Sequence, residues 1–288
     1  MTLLVLGAGG QVGRALVGLA GANALGLDRV ACDISDASSV ARAMSARELS
    51  VVVNCAGFTA VDRAESDRNR AFAVNMEGAA IVARAASLRH LPMIHISSDY
   101  VYGATHEGPY REDDPIAPLN VYGASKAAGD AAVAVANPMH LLLRVSWVFG
   151  IHGKNFVKTM LRLGRERSEL RVVDDQTGRP TEASDIAGAI LTMAAACRRP
   201  GFNAWGTYHF AGAPSTTWYG FARAIFDRTN GRTPRLVPIT SEEYPTPARR
   251  PLNATLCCAK IRRTFAIDQP DWRTSLSRVL AVIDEARM

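Results

Sequence analysis

The chain has 288 residues, 48% of them apolar and 21% charged, enough for one large or two ordinary domains with a sizeable core. Its net charge of +6 comes from scattered arginines, with no basic arm and no basic stripe interleaved with aromatics. That excludes nucleic acid as a partner and leaves a mildly positive field suited to an anionic small molecule.

Short apolar runs alternate with amphipathic stretches along the chain. Strands are expected at 3–7 (LLVLG), 24–28 (ALGLD), 51–55 (VVVNC), 93–98 (MIHISS) and 140–146 (HLLLRVS), with helices near 11–21, 36–47, 68–90 and 121–136. Continuous apolar strands joined by helices predict an α/β fold, a doubly wound parallel sheet covered on both faces. After residue 150 the rhythm loosens, with helices expected near 154–167, 184–198, 217–229 and 274–287. The expected division is a dinucleotide-binding Rossmann domain over 1–150, completed by parts of 182–212. A smaller C-terminal substrate-binding lobe takes 151–181 and 213–288. The Pro-rich stretch 233–251 reads either as loops over a cleft or as a surface connection.

Five cysteines form no CxxC and six histidines no HxxxH, so neither a disulfide framework nor a metal-ligand motif is legible. No apolar run approaches the ~20 residues of a membrane helix. The first strand begins almost at once, leaving no room for a signal peptide, and a cytoplasmic protein is expected.

"GAGGQVG" follows the first strand and opens a helix. Val12 breaks a GxGxxG reading, but Gly7, Gly10 and Gly13 satisfy GxxGxxG. Glycines are needed where the backbone turns sharply beside a pyrophosphate, and the following helix offers it free N–H groups. The second strand ends at Asp28, placed to accept ribose hydroxyls, while Arg29 beside it could meet a 2′-phosphate. The sequence therefore leaves NADH against NADPH open. Asp33 and Ile34 could flank an adenine, or Asp33 could cap the helix starting near 36. In "NCAGFTAVD", small Ala56 and Gly57 leave space for a passing cofactor.

"HISSDYVYG" brings Ser97, Ser98 and Asp99 to the carboxyl edge of the sheet, where such folds bind ligands. Then comes "NVYGASKAAGD", with Asn120 as an N-cap and Tyr122 and Lys126 one turn apart on a helix. With seven tyrosines and four lysines in the chain, a chance YxxxK is expected roughly 0.1 times. Ketone reduction needs a proton for the oxygen as hydride reaches the carbon. A lysine one turn from a tyrosine would bring the phenol down from ~10 toward the working range, and a Ser98 hydroxyl would orient the carbonyl.

These motifs resemble those of the extended short-chain dehydrogenase/reductases, and within them the dTDP-4-dehydrorhamnose reductase family along nearly the whole chain. The resemblance rests on "GAGGQVG", "TAVDRAE", "SSDYVYG", "PLNVYGASKAAGD", "RVSWVFG", "NFVKTMLRL", "DQTGRPT" and "ARRP". It implies reduction of the 4-keto group of dTDP-4-dehydro-L-rhamnose by NADPH or NADH. Tyr122 would be the proton donor, tuned by Ser98 and assisted by Lys126. The implied cofactor contacts are Gly10, Gln11, Val12, Asp28, Asp33, Ile34, Gly57, Phe58 and Thr59, besides Gly7, Gly13, Tyr122 and Lys126. Trp147 would touch the sugar nucleotide, with Ser98, Asp99 and Tyr100 nearby and Arg249 or Arg250 toward its diphosphate. On residue type alone Trp147 could equally be a core side chain, and the arginines a surface pair. Magnesium and a homodimer enter by family resemblance only.

Three positions depart from the family pattern: Ser98 stands for the usual Thr, Ala254 for a frequent Ser, and Tyr100 for the glutamate that 4,6-dehydratases need. The rivals are a reductase or epimerase of another deoxysugar nucleotide, and a dinucleotide-binding regulatory subunit like that of methionine adenosyltransferase.

Overall fold

The computed structural model describes residues 2–45, 48–103, 107–229 and 233–285. In chain order the first half runs β1 (Thr2–Leu6), α1 (Gln11–Ala20), β2 (Ala24–Leu27), α2 (Ala37–Met44), β3 (Leu49–Asn54), α3 (Val61–Ser66), α4 (Arg68–Phe72), α5 (Ala79–Leu88), β4 (Met93–Ser98), α6 (Val121–Ala136) and β5 (His140–Val145). It continues with β6 (Val148–Phe149), α7 (Phe156–Glu166), β7 (Glu169–Val173), β8 (Thr177–Gly178), β9 (Thr181–Glu182), α8 (Ala183–Ala196) and β10 (Gly206–Phe210). The remaining elements are β11 (Thr216–Thr217), α9 (Trp218–Phe226), β12 (Arg235–Ile239), α10 (Ala259–Phe265) and α11 (Trp272–Glu285).

Six strands form one parallel sheet in the order β10-β5-β4-β3-β1-β2. Side chains of a strand alternate between faces, and here both faces are covered. Leu3 and Val5 of β1 pack with Leu16 of α1 and Ile186 and Ile190 of α8, whereas Leu4 and Leu6 pack with Val40 of α2 and Val82 of α5. Burial on both sides is why these strands read as unbroken apolar runs. A third core, including Phe149, Leu161, Phe221, Trp272 and Leu276, joins β6 to α7, α9 and α11. The strand order reverses beside β1, so a crevice opens at the carboxyl ends of β1 and β3.

The expected strands and most helices stand within two or three residues of their predicted ends. The stretch 68–90 differs: α4 and α5 are joined by a π-helical turn, Ala73–Gly78. Helix α6 crosses there so closely that a Cβ on Gly129 would lie 2.1 Å from the Asn75 carbonyl oxygen. The seven strands from β6 to β12 went unread; four of them, β6, β8, β9 and β11, are two-residue pairings, and the longer ones are β7, β10 and β12. Of these, β10 and β12 show why. The first is a mixed-polarity edge strand, and the second hides in the Pro-rich stretch, pairing β7 with Pro238 in its midst. Of the predicted helices 36–47 and 274–287, residues 46, 47, 286 and 287 lie outside the described residues.

The glycine turn is set by close approach. Gly7 has φ +80°, and a Cβ there would meet the Ala56 nitrogen at 2.5 Å. A Cβ on Gly13 would sit 2.3 Å from the Gly7 carbonyl oxygen. Gly13→Ala therefore forces α1 away from β1. It is expected to cost about 1–3 kcal/mol in urea unfolding, with weaker dinucleotide binding by fluorescence titration.

Candidate active site

A cavity of about 880 Å³ occupies the crevice, walled by the glycine turn, the ends of β2, β3 and β4, helix α6 and aromatic side chains from beyond β5. Gly7, Gly10, Gln11 and Val12 form one end. Gly10 caps α1 with no side-chain bond and no acid stands in the first helical turn, so the free N–H groups and the positive helix end face this space. This cradle fits a pyrophosphate. Asn155, the N-cap of α7, donates to Gln11 Oε1 at 2.9 Å and ties the turn to the far side of the crevice.

Asp28, Asp33 and Ile34 also line the cavity. Asp28 Oδ1 accepts from the Val30 and Ala31 amides at 3.0 Å each. Asp33 is not the cap of α2. It accepts from Ser35 N and pairs with Arg29 at 3.5 Å, while Asp36 caps the helix through Ser38 N at 2.9 Å. The helix starts one residue later than the reading assumed, which hands the capping position to Asp36.

Gly57, Phe58 and Thr59 pass along the wall, held by a residue the sequence reading missed. Asn75 accepts from Phe58 N at 2.8 Å, and its amide donates to Phe58 O and to Ser125 Oγ. Ser125 in turn donates to Tyr122 O at 2.7 Å. One buried amide thus clamps the loop to the turn of α6 that carries Tyr122. An asparagine inside an apolar helical pattern was the available signal.

Ser98, Asp99, Tyr100, Tyr122 and Lys126 meet on one wall. Asn120 caps α6 as expected, accepting from Gly123 N at 2.7 Å. Ser98 Oγ lies within hydrogen-bonding reach of the Tyr122 phenol and donates to Asp99 Oδ1 at 2.8 Å. Ser146 Oγ donates to Asp99 Oδ2 at 2.7 Å. Tyr100 stands edge-on to Tyr122, ring centroids 5.7 Å apart.

Lys126 donates to the Ile96 carbonyl at 2.8 Å, so its amine is held against β4. Burial pushes the Tyr122 phenol up to about 12 and the Lys126 ammonium down to about 8. The expected lowering of the phenol by Lys126 is absent here, because burial dominates and the amine is engaged by β4.

Burial also raises the Asp99 carboxyl from 3.8 to about 6. The folded state then binds that proton more tightly than the unfolded one, so the extra stability is full below 3.8 and is lost as pH rises through 6. Wild type should lose about 2 kcal/mol relative to Asp99→Asn between pH 4 and 7, measured by urea unfolding across that range.

Trp147 lines the cavity with a left-handed backbone, φ +43°. Its ring stacks on Trp218 with centroids 3.5 Å apart and planes at 7°, and Gly178 leaves room for it, since a Cβ there would lie 2.2 Å from the indole. Trp218, fixed by a bond from its Nε1 to Gln176 Oε1, was not foreseen. Gly13, Arg249 and Arg250 stand off the cavity wall. Arg250 forks onto Asp62 with bonds of 3.0 and 2.9 Å, and Arg249 is exposed. Among the described residues no group of three or more His, Cys, Asp or Glu side chains could hold a metal ion. No described helix is long and apolar enough to cross a membrane.

The family model described as "RmlD substrate binding domain" matches residues 1–285. The chain is 42% identical to the dTDP-4-dehydrorhamnose reductase of Sinorhizobium fredii over 97% of both chains, and 37% identical to that of Escherichia coli K12 over 97% of both. Its fold superposes with TM-score 0.91 on the dTDP-4-dehydrorhamnose reductase of Bacillus anthracis in complex with NADP, at 33% identity and covering 98% and 99% of the two chains. With the orthologue from Clostridium acetobutylicum the TM-score is 0.93 at 32% identity, covering 99% and 100%. The chain belongs to the RmlD family, whose matching relatives include these dTDP-4-dehydrorhamnose reductases.

Proposed function

We propose that the protein reduces the 4-keto group of dTDP-4-dehydro-L-rhamnose (dTDP-6-deoxy-L-lyxo-4-hexulose) to dTDP-L-rhamnose, using NADPH or NADH. The observation that carries this reading is the convergence of Ser98, Tyr122 and Lys126 on one wall of the cavity whose other end is the glycine cradle.

When bound, the nicotinamide supplies a hydride. The protein's own part is to hold the sugar carbonyl and give its oxygen a proton. Tyr122 is kept protonated at neutral pH by burial, the state a proton donor needs in the reductive direction. Ser98 hydrogen-bonds that phenol and sets where the carbonyl oxygen can sit. Lys126, on the same helix face one turn on, supplies positive charge and a proton source. The Trp147–Trp218 stack offers a flat apolar surface suited to a deoxysugar or a thymine ring. Arg70 and Lys154 on the cavity wall offer positive charge to phosphates, whereas Arg250 serves Asp62 in this conformation. Tyr100, where a dehydratase needs a carboxylate, supports reduction over water elimination. The same proposal sets the enzyme in the cytoplasm, with a homodimer to be read by sedimentation.

The test is loss of absorbance at 340 nm with a panel of 4-keto sugar nucleotides and each nicotinamide. Turnover with the rhamnose precursor and little with others is expected. Turnover only with another keto sugar would overturn the substrate. Binding of the dinucleotide with no turnover at all would favour a regulatory subunit.

A further inference from the structure

Behind the cavity wall, the Lys126 amine ends a buried chain of side chains that the roles above leave unused. Asn54 at the end of β3 and His95 within β4 are fully buried, and Lys126 is 4% exposed. The Ala56 amide donates to Asn54 Oδ1 at 3.0 Å. Asn54 Nδ2 lies 3.1 Å from His95 Nδ1, and His95 Nε2 lies 3.3 Å from Lys126 Nζ.

A backbone amide can only donate, and this fixes the direction of the whole chain. The Asn54 oxygen is taken by Ala56, so its NH2 faces His95 and Nδ1 must accept. A neutral imidazole accepting at Nδ1 carries its proton on Nε2. The doubly protonated ring is disfavoured, because burial and then the Lys126 charge hold His95 well below the ordinary histidine value. An N–H is therefore aimed at the lysine nitrogen. An ammonium has no lone pair to meet it. A neutral amine does, and still has an N–H for the Ile96 carbonyl.

We propose that His95 is a positioning residue of the reductase centre: locked by Asn54 as the Nε2–H tautomer, it holds the Lys126 nitrogen against β4 and favours its amine form. The other groups facing Lys126 act differently. Asp130, one turn on along α6, favours the ammonium, and the Cys55 thiol after β3 is itself pushed up to about 12 by burial and stays neutral. Tyr122, one turn back, is a neutral phenol across the working range. Burial and the His95 N–H oppose Asp130, in keeping with Lys126 near 8 in place of 10.5. A lysine so poised can release and regain a proton near neutral pH, which an ordinary lysine cannot. That last consequence rests on the assignment of Lys126 as catalytic; the tautomer and the titration do not.

With four lysines and six histidines in the chain, selective 13C-lysine and 15N-histidine labelling gives few signals, assigned by Lys126→Arg and His95→Gln. In the wild type, His95 should show the Nε2–H pattern and Lys126 should titrate near 8. Asn54→Asp reverses the chain, because a carboxylate draws the proton to Nδ1 and turns Nε2 into an acceptor. His95→Gln can turn an amide oxygen to the lysine without adding charge. Both should raise the Lys126 titration by about one unit or more, and move the matching limb of the pH profile of kcat/KM with it. A variant that merely loosens packing lowers kcat at every pH and moves no limb. An Nδ1–H tautomer in the wild type, or a Lys126 titration unmoved in both variants, overturns the proposal. A lysine shift with a stationary limb upholds the tautomer lock and counts against Lys126 as the titrating catalytic group.

Discussion

Tyr122→Phe should lower kcat for 4-keto sugar reduction by about two to four orders of magnitude, while the dissociation constant for the nicotinamide cofactor stays within a few-fold of wild type. The phenol oxygen is the group on this wall that burial keeps protonated beside a hydroxyl, and the substitution removes that oxygen with almost no change of volume. The ring still packs edge-on against Tyr100, so the site keeps its shape. Single-turnover absorbance at 340 nm with saturating cofactor isolates the chemical step, and fluorescence titration reads cofactor affinity. Full turnover in Tyr122→Phe would remove the proton-donor role. A loss confined to KM would make Tyr122 a binding group only.

Where the sequence was legible, local pattern and tertiary role coincided. The runs LLVL and VVV read as strands buried on both faces, and Asn120 read as the cap of the helix that carries Tyr122, where it accepts from Gly123 N. The Tyr122–Lys126 spacing and the Ser98 position follow from the 3.6-residue helical repeat and from the end of β4, and the structure brings all three to one cavity wall. What stayed hidden depends on contacts between residues far apart in the chain. Asn75 reaches Ser125 across 50 positions and Trp218 stacks on Trp147, and neither partner carries a local mark of the other. The π turn at 73–78 was invisible for the same reason, since it lies where Gly129 of another helix passes against the Asn75 backbone. Arg250 illustrates the converse. Its motif pointed to a phosphate, but Asp62 from α3 lies at bonding distance and takes the guanidinium.

The largest stability effect is expected away from the cavity, at Arg144. Its Nε donates to Asp130 Oδ2 at 3.0 Å, with both side chains about 95% buried, and its Nη1 bonds the Tyr102 hydroxyl. That hydroxyl also meets His209 Nε2 at 2.8 Å. Among the described residues Asp130 Oδ1 has no hydrogen-bond partner, so the guanidinium is the group that compensates the carboxylate directly. Arg144→Met leaves that charge buried and should cost about 3–5 kcal/mol in unfolding free energy, a fall in Tm on the order of 10 °C. Replacing both groups, Arg144→Met with Asp130→Leu, removes the desolvation penalty along with the pair and should recover most of the loss. The double variant also withdraws the one charge that supports the Lys126 ammonium from along α6. Lys126 should then titrate lower still, and the matching limb of the activity profile should move to more acid pH while the fold holds. A double variant no more stable than Arg144→Met alone would show that the loss comes from the Tyr102–His209 contacts. An unmoved limb would show that Asp130 acts on the fold and not on the site.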